Sequence, residues 1–193
     1  MRKLGIVGGM SWASTALYYE HINRGIAQRL GGLHSARLVI ESLDLAPVAR
    51  MELSGDWDGV ARLTLEAAKH LEAAGAEAVI ITSNTGHKVY EAVAANIGVP
   101  MLHIGDATAD RLVADSRKNV ALLGTRFTML EQHVRSRLES RGISRLQSSA
   151  RGQRNLPRPT RSASTTAVSP ESLPENRLGF GSTAGFLNGV TRR

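Results

Sequence analysis

Ser83, Asn84 and Thr85 stand where the apolar run Ala78-Val79-Ile80-Ile81 gives way to polar residues, and together they offer two hydroxyls and an amide. A helical pattern begins just beyond them, at His87-Lys88-Val89. Such a corner suits a small anion, because the first N–H groups of a helix lack partners and its dipole favours negative charge. The same residue types also cap helices without binding anything. A second hydroxyl-rich corner, Thr125-Arg126-Phe127-Thr128, follows Val120-Ala121-Leu122-Leu123-Gly124. Its hydroxyls can likewise cap the helix that follows. The chain has no Cys, which excludes disulfides, thiolate metal sites and thiol catalysis.

The elements that must hold these corners alternate. Lys3 to Val7 reads as a short buried strand, followed by the turn Gly8-Gly9-Met10-Ser11. Its glycines do not have the spacing of a dinucleotide fingerprint. Ser11 or Ser14 can cap a helix in which Tyr18, Ile22, Ile26 and Leu30 recur, and Gly31-Gly32 end it. Residues 36–42 form the second strand, and 43–55, with Pro47, read as loop or irregular helix. Asp56 can cap a long helix with Val60, Leu63, Ala67 and Leu71 on one face, closed by Gly75. The central strand and its corner follow, then a helix at 87–96, a strand at 101–104, a helix at 106–115, a strand at 119–124 and a helix from 127 to 141. Strands and helices in alternation predict an α/β protein with a parallel, Rossmann-like sheet covered on both faces.

The pattern stops near Ser144. Residues 148–193 hold seven Arg, seven Ser and four of the six Pro, with two Glu and no Lys or Asp. The formal charge of +7 is therefore mostly a property of the tail, which carries +5 and leaves +2 for residues 1–147. A basic tail on a near-neutral domain is a weak footprint for nucleic acid. Such a composition cannot offset its ordering entropy, so disorder is expected. Arg, Pro, Ser, Ala and Gly are also what a GC-rich gene yields in a shifted frame, and a frameshifted or wrongly joined C-terminus is the preferred account over a natural tail. The expected organisation is 1–115 as a first lobe, 116–146 as the start of a second, and 147–193 as an aperiodic tail. Val120, Leu122, Leu123 and the face of the 127–141 helix are then expected to lack partners. No run reaches the ~20 apolar residues of a membrane span, and no signal peptide opens the chain; a soluble cytoplasmic protein is the expectation.

Several stretches, in order, carry a resemblance: Leu4-Gly-Ile-Val-Gly-Gly-Met-Ser-Trp12, Arg29-Leu-Gly-Gly-Leu-His-Ser-Ala36, Gly55-Asp-Trp-Asp58, Ala74-Gly-Ala76, Ser83-Asn-Thr-Gly-His-Lys88, His103-Ile-Gly-Asp-Ala-Thr108 and Val120-Ala-Leu-Leu-Gly-Thr125. The chain thereby resembles the aspartate/glutamate racemase family, whose members racemise amino acids without pyridoxal phosphate or any other cofactor. The resemblance implies a two-lobed α/β protein that binds a small amino-acid or dicarboxylate substrate between its lobes, commonly as a homodimer. It implies two residues, usually both Cys, on opposite faces of the substrate α-carbon. Ser83 matches the first of these positions, where some relatives carry Thr; a hydroxyl there needs an adjacent base, for which His87 is the nearest candidate in sequence. The second, in a G-C-T-E corner, has no counterpart. It further implies that Met10 and Glu52 lie near the substrate, that Asn84 and Thr85 hold its α-carboxylate, and that Thr125 closes the site. Relatives have Gln or a basic residue at the place of Glu52, so a Glu there would repel the substrate carboxylate. The resemblance thus predicts an amino-acid racemase that is weak or inactive, against the alternative of a non-catalytic small-carboxylate-binding protein.

Overall fold

The structure, a computed structural model, describes residues 1–145; the expectations for the tail beyond them, and for the last residue of the 116–146 segment, lie outside the described residues. The chain is α/β, as its alternating pattern predicts. Four parallel strands, β1 (Leu4–Gly8), β2 (Leu38–Ser42), β3 (Ala78–Ile81) and β4 (Met101–Leu102), lie in the order β2-β1-β3-β4. Their side chains alternate between two covers, as strand geometry requires. Leu4, Ile6 and Ile80 pack with Ile22 and Ile26 of α1 (Trp12–Leu30) on one face. Val7, Val79 and Ile81 pack on the other, with Val48 of α2 (Leu45–Ser54) and Val60, Ala67, Ala68 and Leu71 of α3 (Trp57–Ala73).

This order places a switch point between β1 and β3. From β1 the chain runs outward to β2, then returns across the sheet to β3 on the far side of β1. Open α/β sheets leave a crevice there, at the carboxyl ends of the strands. The Gly8-Gly9-Met10 turn and the Thr82-Ser83-Asn84 corner, which follow the paired strands β1 and β3, flank that point as two banks. Gly9 is required on its bank: its φ is +80°, and a Cβ would lie 2.0 Å from the Leu43 carbonyl oxygen. Thr15 ties the banks together. Its hydroxyl accepts from Gly9 N–H at 3.0 Å and lies 2.9 Å from the Thr82 hydroxyl.

Several elements depart from the sequence reading, each for a local reason. Residues 45–54, expected as irregular, form a regular helix capped by Asp44. Pro47 falls in its first turn, where the N–H it lacks has no helical partner to lose. Beyond β3 the chain first makes a 3-10 turn, Thr85–Val89, before a short α4 (Tyr90–Ala94). His103, read as a strand residue, caps α5 (Ile104–Ala114) instead. The single helix expected over 127–141 is two, α6 (Arg126–Leu130) and α7 (Gln132–Glu139), separated by an extended Glu131.

A second apolar group forms away from the sheet. Ala109 of α5, Val134 and Leu138 of α7, and Ile143 are buried together, with Leu112, Val120 and Leu122 packed against them. The expectation that Val120, Leu122 and the face of the 127–141 helix lack partners is thus corrected: Val134 and Leu138 are buried with Ala109 and Ile143, and Val120 and Leu122 pack against that group. Leu123 does remain 75% exposed. Beside this group, β5 (Asn119–Val120) pairs in parallel with β6 (Ser144–Arg145).

Candidate functional site

Ser83 begins the corner, half-buried, its hydroxyl oxygen accepting from Gly86 N–H at 3.1 Å. That bond closes the 3-10 turn and leaves the Ser83 proton free to donate. Asn84 is exposed and its side chain makes no capping bond. Thr85 is buried, and its hydroxyl lies 2.8 Å from that of Thr125. Thr125 caps α6 at the same time, its oxygen accepting from Thr128 N–H at 3.3 Å. Of the two readings open for Thr125, helix cap or closure of the site, the structure shows the cap, and it sets the capping hydroxyl beside the first corner.

Met10 is buried beneath the corner, where a Cβ on Gly86 would come within 2.7 Å of its sulfur. Glu52 sits one turn after the buried Val48, which shares a cluster with Met10. The Glu52 carboxylate is half-buried, and burial raises its pKa above the ordinary carboxylate range. Ser83, Thr85, Thr125 and Met10 are thus brought to one end of the sheet. Asn84 belongs to the same corner and is exposed, while Glu52 lies on α2 and takes no part in the corner's hydrogen bonds among the described residues.

His87 does not serve Ser83 as a base. Its Nδ1 lies 2.7 Å from the Ser83 carbonyl oxygen, to which it donates, and its Nε2 accepts from Ile104 N–H at 3.1 Å. Both nitrogens are engaged with backbone, so the ring is neutral and its tautomer set. Burial, and to a smaller extent the charges of neighbouring side chains, lower its pKa to about 3. His103 is held neutral in the same way, its pKa lowered to about 4 chiefly by burial, with its Nδ1 accepting from Gly105 N–H at 2.9 Å. The rings of His87, His103 and Tyr90 pack against one another, and the Arg137 guanidinium lies 5.6 Å from the Tyr90 ring. His87 is the pin that joins the corner to the start of α5.

Four further residues gather beside Thr125 without having been read as site residues. Lys88 pairs with Glu131, and its ammonium lies 3.9 Å above the Trp57 ring and 5.4 Å from that of Phe127. Trp57 and Phe127 meet edge to face at 5.0 Å. Trp57 and Lys88 do occur within recognisable motifs, but nothing local marks Glu131. His133, nearby, has both ring nitrogens buried and without a hydrogen-bond partner among the described residues. Burial lowers its pKa, partly offset by Glu131 and by the backbone of Asn84, which comes close without good hydrogen-bond geometry. Among the described residues no group of three or more His, Cys, Asp or Glu is placed to hold a metal ion, and no helix is long and apolar enough to cross a membrane.

Residues 7–175 match the family model described as Asp/Glu/Hydantoin racemase. Among solved structures, the chain is similar to a candidate Asp/Glu racemase from Yersinia pestis, at 43% identity over 76% of this chain and 64% of that one, with a TM-score of 0.72. It is similar to an aspartate racemase homologue from Pyrococcus horikoshii OT3 at 31% identity, over 79% of this chain and 66% of that one, with a TM-score of 0.68. A Picrophilus torridus aspartate racemase shares the fold, at 21% identity over 76% of this chain and 62% of that one, with a TM-score of 0.64. The chain spans just under two thirds of the length of each.

Proposed function

We propose, since the chain belongs to the Asp/Glu/Hydantoin racemase family, that its crevice takes the α-carboxylate of a small amino acid of the aspartate or glutamate type, in the cytoplasm, and that the reaction behind the site is cofactor-independent inversion at the α-carbon. The observation that carries this reading is the 2.8 Å approach of the Thr85 and Thr125 hydroxyls, which come from segments 40 residues apart. Two hydroxyls so placed can each give a proton to one oxygen of a carboxylate, as a two-pronged donor does. Asn84 supplies an amide at the rim, and Met10 floors the corner. Glu52 opposes a second carboxylate brought near it, because like charges repel more strongly where water is partly excluded.

Inversion requires one group to take the α-proton and another to return one from the opposite face. Ser83 stands at the first position, but His87 is turned away from its hydroxyl, and the chain has no Cys for the second. Loss of one acid–base group alone removes ~10²–10⁴-fold of rate. We therefore assign this chain weak or no turnover. The same cysteine-free composition favours the second reading, a non-catalytic carboxylate binder on a racemase frame.

An NMR titration with L-aspartate tests the site. Thr85→Val and Thr125→Val should each weaken binding by about tenfold, the worth of one charge-assisted hydrogen bond. A folded chain that ignores L-aspartate would overturn the carboxylate reading. Exchange of the α-proton with solvent deuterium separates the two functions. If binding persists with no exchange, in the unaltered chain and in Ser83→Cys alike, the protein is a binder. Exchange at one enantiomer that rises in Ser83→Cys marks a racemase half-site. Rapid interconversion of L- and D-aspartate by the unaltered chain would refute weak turnover.

A further inference from the structure

Glu131 occupies the break between α6 and α7, with φ −93° and ψ 171°. There its two carboxylate oxygens meet Lys88 Nζ, at 2.9 Å and 2.7 Å. The pair is not an ordinary surface ion pair. The two side chains are only 25% and 35% exposed, and the ammonium is covered by the Trp57 ring at 3.9 Å. A cation over an aromatic face and beside a carboxylate is held in one place from two directions.

The location of the pair gives it a role. Lys88 follows Thr85 by three residues on a 3-10 turn, where side chains three apart lie on the same side. That turn therefore grips α6 twice, with Thr85 on Thr125 at the start of α6 and Lys88 on Glu131 just past its end. A hydroxyl has one proton to donate. When Thr85 and Thr125 both turn theirs to a carboxylate, the bond between them is given up. The ion pair, with Trp57 against Phe127, then remains to hold the two hydroxyls at their spacing.

We propose that Lys88 and Glu131 are positioning residues for carboxylate recognition: they act through α6 to keep the Thr125 hydroxyl in register with Thr85 when the ligand is bound. This rests on the carboxylate reading of the Thr85–Thr125 contact. Neither residue touches the ligand in this scheme. The binding it supports has an ionic-strength dependence that the ligand's own contacts do not account for.

The test is a titration of the full chain with L-aspartate, followed by NMR at low and high salt, in the unaltered protein, Glu131→Gln, Lys88→Arg, Thr125→Val and the double variant Glu131→Gln/Thr125→Val. Glu131→Gln should weaken binding about fivefold to tenfold, the size of effect expected for a residue coupled to a site it does not touch. Lys88→Arg keeps the charge and a cation that can lie on the Trp57 ring, though not the ammonium's compact geometry, and should weaken binding less than Glu131→Gln. High salt should weaken the unaltered chain more than Glu131→Gln. In the double variant the effect of Glu131→Gln should vanish, because the hydroxyl it positions is gone. A purely structural role would instead lower the melting temperature and add in full to Thr125→Val, and that result overturns the proposal. So does unchanged binding in Glu131→Gln. If the unaltered chain does not bind L-aspartate at all, the carboxylate reading falls and takes this proposal with it; if it binds and Glu131→Gln binds equally, this proposal alone falls.

Discussion

His87 shows how a residue suited to chemistry by type can be committed elsewhere by position. The ring donates to the Ser83 carbonyl and accepts from Ile104 N–H, so removing it strands two partly buried backbone groups. His87→Phe keeps a ring against Tyr90 and His103 but should cost about 2–4 kcal/mol at pH 7, measured by urea unfolding, since each unsatisfied group costs ~1–3 kcal/mol. The pH dependence has a definite sign. The folded pKa is about 3 against the ordinary histidine value of 6.5, so the unfolded chain takes up a proton first. The stability linked to neutral His87 is complete above pH 6.5 and is lost as the pH falls toward 3. His103 adds a similar loss between 6.5 and about 4. The His87→Phe variant should therefore be less stable at pH 7 yet flatter with acid, and an acid profile parallel to that of the unaltered chain would contradict this.

Elements were legible where local sequence decides them and illegible where a distant partner does. The apolar runs of β1 and β3, the glycine that closes α3 and the Asp56 cap all stood in the sequence, because burial and capping are set by residue type at a given spacing. Asp56 accepts from Gly59 N–H at 2.8 Å. Asp56→Ala should cost about 1 kcal/mol in the same urea assay, and a change of a few tenths or less would show that packing alone starts the helix. The corners at Ser83 and Thr125 were legible as hydroxyl clusters, but their meeting was not, since a 40-residue separation leaves no local trace. The break at Glu131 was missed for a related reason. Nothing near that position disfavours helix; the carboxylate meets an ammonium 43 residues earlier in the chain. Pro47 misled in the opposite direction, as a helix breaker placed in the one turn that tolerates it.

Among the described residues the buried apolar side chains fall into groups around the sheet and one beside it. The first groups meet on β1 and β3, while the group beside the sheet is built from α5, α7, β5 and Ile143. The links between sheet and satellite include His87, Lys88, Thr85 and Arg137, which pairs with Glu91 and with Asp106 at 3.1 Å. They are largely polar, and polar links are weaker per contact than a shared core. We expect the satellite group to open on its own. Leu138→Ala should cost about 2–5 kcal/mol locally, and hydrogen exchange should accelerate in α5 and α7 while amides of β1 and β3 keep their protection. Uniform acceleration through the sheet would mean that the molecule unfolds as one unit.

Trp57 has a consequence of an optical kind. The chain has two tryptophans. Trp12 is 76% exposed, whereas Trp57 is half-buried, with an ammonium over its face and the Phe127 ring at its edge. Indole emission responds to nearby charge and to water, so the two residues emit differently, and Trp12 is the more open to a soluble neutral quencher such as acrylamide. With Trp12→Phe, the remaining fluorescence comes from a single indole seated where α6 meets the rest of the protein. Any movement of α6 away from Trp57, on ligand binding or on loss of the Glu131 carboxylate, then shifts the colour of the emission, so the molecule carries its own gauge of whether that seam is closed.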